Sequence, residues 1–161
     1  NPLLLRRALD QRVRVIVAHC ASLGRGPDLD AGPDGPSLSS FELFSRLMQE
    51  PRYDGLLFGD ISAITQINRV GSALETLVAR EEWQPRLLNG SDYPLPGVLP
   101  LFSLKQLLRR DCITEPDAEV LSAIRPHNPL LFDFVLKRAL RIDGKGFGPA
   151  PFQTRQFFQP T

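Results

Sequence analysis

Hydrophobic and polar positions along the chain alternate between two periods. Residues 13–18 (Val-Arg-Val-Ile-Val-Ala) are β-branched and apolar, the pattern of a buried strand. Residues 55–61 (Gly-Leu-Leu-Phe-Gly-Asp-Ile) read as a second strand, and residues 87–91 (Leu-Leu-Asn-Gly-Ser) as a third. Helical spacing fills the intervals. Asn1 is a good N-cap and Pro2 suits the first helical position, so residues 1–10 are predicted helical. Ser39 and Glu42 form a capping box that opens a helix through Met48, ending near Pro51. Ile67, Val70, Leu74, Leu77 and Val78 make an apolar stripe that predicts a helix over 66–82. Further helices are predicted over 97–110, over 115–124 behind a Thr114 cap, and from Asn128-Pro129 to about Arg141. Leu131, Phe134, Val135 and Leu136 are its expected buried side. The Asn-Pro-Leu-Leu starts at 1 and 128 share a capping solution without a fixed period, so no repeat is assigned.

The order αβαβαβααα implies an α/β fold with a parallel sheet and helices outside. Three strands leave both sheet edges open for pairing. Residues 22–37 hold four Gly and three Pro and are expected to be a long loop, of a kind that is often functional or mobile. The tail from Asp143 carries four of the ten Phe and reads as an arm packed on the domain or on a neighbour. The chain opens on Asn rather than Met, and its one Met is Met48, so it reads as a piece of something longer.

Composition narrows the classes. The 161 residues suffice for one core, with 19 Lys plus Arg against 18 Asp plus Glu, a net charge of +1. That balance gives no electrostatic reason for nucleic acid or an anionic membrane as partner. Arg6-Arg7 and Arg109-Arg110 are too short for a basic patch and read as solvated helix faces. No apolar run approaches the roughly 18 residues of a membrane span. Cys20 and Cys112 lack any zinc or disulfide spacing and are expected to be small buried hydrophobes in a reducing, cytoplasmic setting.

In parallel α/β folds the chemistry lies at the carboxyl ends of strands. Here those ends carry His19, then Asp60 with Ser62 two residues on, then Asp92. Alone, His19 reads as a core histidine and each Asp as a cap. Together, at every predicted strand end, they have the composition of a metal or acid–base site. A Cys20–His19 nucleophile pair is rejected, because adjacent strand residues face opposite ways. Gly24-x-Gly26 is no phosphate loop.

The strand Arg14-Val15-Ile16-Val17-Ala18-His19, followed some 70 residues later by Asn89-Gly90-Ser91-Asp92-Tyr93-Pro94, resembles the amidohydrolase-related branch of the metal-dependent hydrolases. The Asn128-Pro129-Leu130-Leu131-Phe132 helix resembles that family's last barrel helix. The resemblance covers residues 1–141 and leaves 142–161 as an extension. It implies a (β/α)8 TIM barrel, which takes about 250 residues, with 13–18, 55–61 and 87–91 as its sixth to eighth strands. The chain would then be the C-terminal part. The family's first-strand His-x-His pair has no match here, and its fifth-strand His falls before Asn1. By the resemblance, Asp92 matches the last-strand Asp that binds metal and handles the proton of the attacking water. His19 matches the sixth-strand His that binds metal or polarises substrate. Asp60 and Ser62 are candidate substrate contacts without a family role. The implied activity is hydrolysis of an amide, ester or lactone, or decarboxylation of a small carboxylic acid. The implied cofactor is a divalent metal, zinc first, with manganese or iron as alternatives. With two ligands this chain alone is expected to bind metal weakly or not at all and to be inactive. The expected partners are a small-molecule substrate and either the remaining barrel half or another copy, with no nucleic acid and no membrane.

Two rival readings remain. One is a non-catalytic assembly module associating through its sheet edges and aromatic tail. The other is a complete small α/β enzyme that uses His19, Asp60 and Asp92 without metal, although no nucleophile is evident.

Overall fold

Three short apolar runs pair into one parallel sheet. In a computed structural model that describes residues 1–159, β1 (Val15–Val17), β4 (Leu57–Asp60) and β5 (Leu87–Leu88) lie in the order β1-β4-β5. The chain is a mixed α/β fold with helices flanking this sheet. The predicted strands at 13–18, 55–61 and 87–91 are present, each shorter than its apolar run, and β1 is half-exposed rather than buried as expected. Alternation along β4 splits the sheet into two faces. Leu57 and Gly59 are buried against the helices, while Phe58 and Asp60 are half-buried on the other face. Ile16 pairs with Phe58 and shares that second face, where it is 39% exposed. The edge ring of Phe157 packs on Phe58 at 4.7 Å, so the tail covers part of this face.

The helical starts follow their predicted caps, with one change of role. Asn1 precedes α1 (Pro2–Leu9), but its amide donates to the Pro27 carbonyl instead of capping. Ser39 and Glu42 form the expected capping box on α2 (Ser40–Met48). Thr114 and Asp117 form a second box on α5 (Glu115–Ile124), and Asn128 caps α6 (Pro129–Ala139). Leu9, Leu47, Leu57, Leu74, Leu87 and Phe132 sit at the centre of the core. Among the described residues no helix is long and apolar enough to cross a membrane.

Four expectations change. The helix predicted over 66–82 begins only with α3 (Ser72–Ala79), and residues 61–71 form a turn-rich segment. Ala63 takes a left-handed φ of 55°, and Ile67 donates its amide to the Leu101 carbonyl rather than to a helical partner. The helix over 97–110 shortens to α4 (Leu104–Arg109), because Pro96 and Pro100 break the segment into 3₁₀ turns. α6 meets its expected face in part: Leu136 is buried as expected and Val135 half-buried, but Phe132, Asp133 and Lys137 are also buried while Leu131 and Phe134 are more than 40% exposed. The loop 22–37 contains a hairpin, β2 (Arg25–Pro27) against β3 (Ser37–Ser39).

That hairpin loop is fastened by charge. The two Nη groups of Arg46 donate to the two carboxylate oxygens of Asp28 at 2.8 and 2.7 Å. Asp30 accepts from Arg6 at 2.5 Å and from Arg46 at 3.2 Å. Arg6 is therefore clamped, not a solvated helix residue as expected. Hydrogen bonds from Arg46 hold the Asp28 carboxyl below its ordinary value, and those from Arg6 do so for Asp30. A lowered folded value means a contribution that is complete above the usual carboxylate value of about 4 and lost as the pH falls through the lowered values. Amide exchange across 22–37 is expected to accelerate on acidification below about pH 4. Arg46→Met should exchange fast already at neutral pH; an unchanged pH profile in that variant would remove the clamp as the cause.

Candidate functional site

The carboxyl end of β1 turns sharply. His19, Cys20 and Ala21 have φ of 53°, 49° and 50°. Each non-glycine residue in that region costs about 1–2 kcal/mol, so the turn persists only where its surroundings hold it. Asp60 does the holding. Its Oδ1 accepts the His19 backbone N–H at 3.1 Å and the Ser62 backbone N–H at 2.9 Å, and also the Ser62 hydroxyl. Beneath the turn, Cys20 is fully buried and its thiol donates to the Asp60 carbonyl at 3.1 Å. Burial pushes that thiol well above its ordinary value. Cys20 is a small buried hydrophobe, as the sequence implied, although the turn rather than strand alternation separates it from the His19 side chain.

Gly59 makes this stacking possible. A Cβ there would lie 2.6 Å from Cys20 Sγ and 2.8 Å from Phe44 Cζ. Gly59→Ala is expected to destabilise the fold by about 1–3 kcal/mol through overpacking, and adding Cys20→Ala should recover part of the loss in urea denaturation. A Gly59→Ala variant as stable as the parent would show that the turn yields freely.

The hydrogen bonds orient the His19 ring. The Ser62 hydroxyl spends its hydrogen on Asp60, so its lone pair accepts from His19 Nδ1, 2.8 Å away. The neutral ring therefore carries its hydrogen on Nδ1 and presents a free lone pair at Nε2. Nε2 faces the Asp92 carboxylate at 3.7 Å.

Asp92 reaches that position from the other end of the sheet. It follows β5 with φ 54° and precedes the cis Tyr93–Pro94 bond. Lys137 supports the turn from α6. Its ammonium, fully buried, donates to the Gly90 carbonyl at 2.6 Å, to Asn89 Oδ1 at 3.3 Å and to Asp133 Oδ2 at 2.6 Å. Burial draws Lys137 below its ordinary value and raises Asp133 above its own. The second Asp133 oxygen, Oδ1, is buried without a partner among the described residues.

All four sequence candidates meet at one rim: His19, Asp60, Ser62 and Asp92. Their roles divide. Asp60 and Ser62 hold the turn and orient the imidazole, while His19 Nε2 faces Asp92, both side chains being partly exposed. The sequence reading missed Lys137 and Asp133. The available signal was an Asp and a Lys at i,i+4 inside an apolar helix, positions that α6 turns inward. It also missed Arg69, which the predicted helix over 66–82 had absorbed; its Nη1 donates to Ser22 Oγ at 2.9 Å.

An imidazole nitrogen held by its far N–H, beside a carboxylate, suits two ligands of a divalent cation. Among the described residues, no group of three or more His, Cys, Asp or Glu side chains is placed to hold one. Comparison with protein-family models, with curated proteins and with solved structures finds no significant match to this chain.

Proposed function

We propose that the chain is the C-terminal part of a (β/α)8 hydrolase of the amidohydrolase-related kind, acting on amide, ester or lactone bonds. The observation that carries this reading is the oriented pair at the strand ends: His19, with Nδ1 held by Ser62, and Asp92 facing its Nε2 at 3.7 Å. The half-uncovered sheet face that bears Ile16 and Phe58 supports the barrel, whose interior would pack against it. In this reading Asp92 accepts a proton from the attacking water and passes it to the leaving group. The Ser62–Asp60 chain behind His19 holds the ring with Nε2 turned toward Asp92. His19 Nε2 and Asp92 would also contribute two ligands to a divalent cation, which supplies Lewis acidity when bound. The remaining ligands come from outside this chain.

The test uses the full-length protein that carries this sequence. It should hold a stoichiometric divalent ion and hydrolyse a member of an amide, ester and lactone panel. A full-length protein without a bound divalent ion overturns the reading.

One observation favours the assembly module as a second reading: the outer edge of β1 is unpaired among the described residues, with Ile16 exposed on it. This chain in isolation is expected to self-associate in sedimentation. A monodisperse monomer would count against edge pairing.

A further inference from the structure

The loop that follows Asp92 carries its apolar side chains outward. Leu99 is 71% exposed and Tyr93 67%, with Val98 exposed between them in the chain. Two neighbours extend the patch. A Cβ at Gly97 would lie 3.4 Å from Pro129 Cγ, so the loop touches the start of α6, where Leu130 and Leu131 are exposed. Ile67, also exposed, is tied to the loop by its amide bond to the Leu101 carbonyl. Single exposed apolar side chains are ordinary, but a contiguous group marks an interaction surface. The loop is held rigidly. Arg125, at the end of α5, donates to the carbonyls of Pro96, Val98, Leu99 and Phe102 at 3.2, 3.0, 3.3 and 3.4 Å. Its guanidinium also lies over the rings of Phe102 and Phe132. A half-buried cation therefore fixes apolar side chains in the solvent, and a surface fixed in advance loses little entropy on docking.

Charge along this loop and the helix after it has one sign. Residues 93–110 contain no Asp or Glu and three cations, Lys105, Arg109 and Arg110. Arg110 faces Glu75 at 3.7 Å, whereas the exposed Lys105 and Arg109 have no acidic partner among the described residues. Asp92, just before the stretch, faces His19, and Asp111 lies beyond the far end of α4. Residues 125–132, which border the loop, add Arg125 and no acid. The net charge of +1 conceals this segregation, because the acids lie elsewhere in the chain.

We propose that this patch docks on an anionic lipid surface, with Tyr93, Val98 and Leu99 entering the headgroup region and Lys105 and Arg109 answering the lipid charge. Tyrosine and leucine suit that boundary, and each nearby cation adds attraction to anionic headgroups. A second copy of the chain suits the patch less. A two-fold contact is self-complementary, so it would set Lys105 and Arg109 near their own likes. Docking here brings the rim that bears His19 and Asp92 close to the bilayer, since Tyr93 adjoins Asp92. The inference does not depend on the hydrolase reading.

The experiment is co-sedimentation of this chain with vesicles of phosphatidylcholine that contain about 30% phosphatidylserine, beside vesicles of phosphatidylcholine alone. The anionic vesicles should bind the chain and the neutral ones should bind it far less. Leu99→Ser, at an exposed position that leaves the fold intact, should weaken binding by about tenfold. Lys105→Gln should weaken it by about fivefold, a difference that vanishes in about 0.5 M salt. Leu4→Ser, exposed on α1 away from this loop, should bind as the parent does. The proposal is overturned if the anionic vesicles are not bound, if neutral vesicles bind equally, if Leu99→Ser binds as the parent does, or if Leu4→Ser weakens binding as much. A dimer in sedimentation that Leu99→Ser dissolves, with vesicles ignored, assigns the patch to a second copy and overturns it. Polyglutamate bound as tightly as the vesicles overturns it in favour of an acidic protein.

Discussion

Lys137→Met is expected to cost about 3–5 kcal/mol of stability, the range for breaking a buried ion pair by removing one partner. The substitution conserves length and apolar volume, so the loss measures charge and hydrogen bonding rather than a cavity. Three acceptors lose their donor together: Asp133 Oδ2, the Gly90 carbonyl and Asn89 Oδ1. The worst placed is Asp133, nearly fully buried and already lacking a partner at Oδ1. Its carboxyl then gains a proton to escape an uncompensated charge. The double variant Asp133→Leu with Lys137→Met removes that problem and should recover much of the stability, since buried pairs can be replaced by apolar groups at little net cost. Recovery stays incomplete, because the Gly90 carbonyl remains unbonded. Urea denaturation of parent, single and double variants gives the three values. A single variant within about 1 kcal/mol of the parent would show that water already reaches this pair.

The same pair marks where the sequence could be read and where it could not. β1 and β4 were legible because β-branched and apolar runs carry their own signal, and α2, α5 and α6 because their caps are local. The hairpin β2–β3 was not, since three-residue strands containing Gly26 and Pro27 have no period. Their pairing depends on Arg46 and Arg6 reaching Asp28 and Asp30 from elsewhere in the fold. The helix expected over 66–82 failed for a related reason. Its apolar stripe was real from Leu74 onward, but residues 61–71 satisfy their backbone through turns and Leu101 instead. α6 was found with Leu136 inside as read, but Leu131 and Phe134 lie outside and Asp133 and Lys137 take buried positions. They are inside only because each answers the other.

The candidate site was legible as a set of residue types at strand ends, and not as a set of roles. Asp60 looked like His19 and Asp92 in the sequence. The left-handed turn at 19–21 gives it a different task, since its Oδ1 is filled by two backbone N–H groups and the Ser62 hydroxyl. No local pattern announces three consecutive non-glycine residues at positive φ; the anchor that tolerates them lies 40 residues away in the chain.

Asp92→Asn in the full-length protein is expected to abolish turnover, by about a hundredfold to ten-thousandfold for a lost proton acceptor, while leaving the fold intact. The structural side is favourable. The Asp92 carboxylate is 31% exposed and stands 3.7 Å from His19 Nε2, too long for a hydrogen bond. Asn also tolerates the φ of 54° at this position. Packing and backbone therefore lose nothing, and the thermal midpoint should match the parent. The chemistry loses the charge that faces Nε2. An amide accepts protons poorly and is a weak ligand for a divalent cation, so both tasks assigned to Asp92 fail together. Ser62→Ala separates orientation from proton transfer. It frees His19 Nδ1 and leaves Asp92 untouched, so it should reduce kcat less than Asp92→Asn. It should also alter the pH profile, because the ring can then carry its hydrogen on either nitrogen. Parent-like rates in Asp92→Asn would remove Asp92 from the mechanism. A collapse of its thermal midpoint would instead assign the residue to the turn after β5.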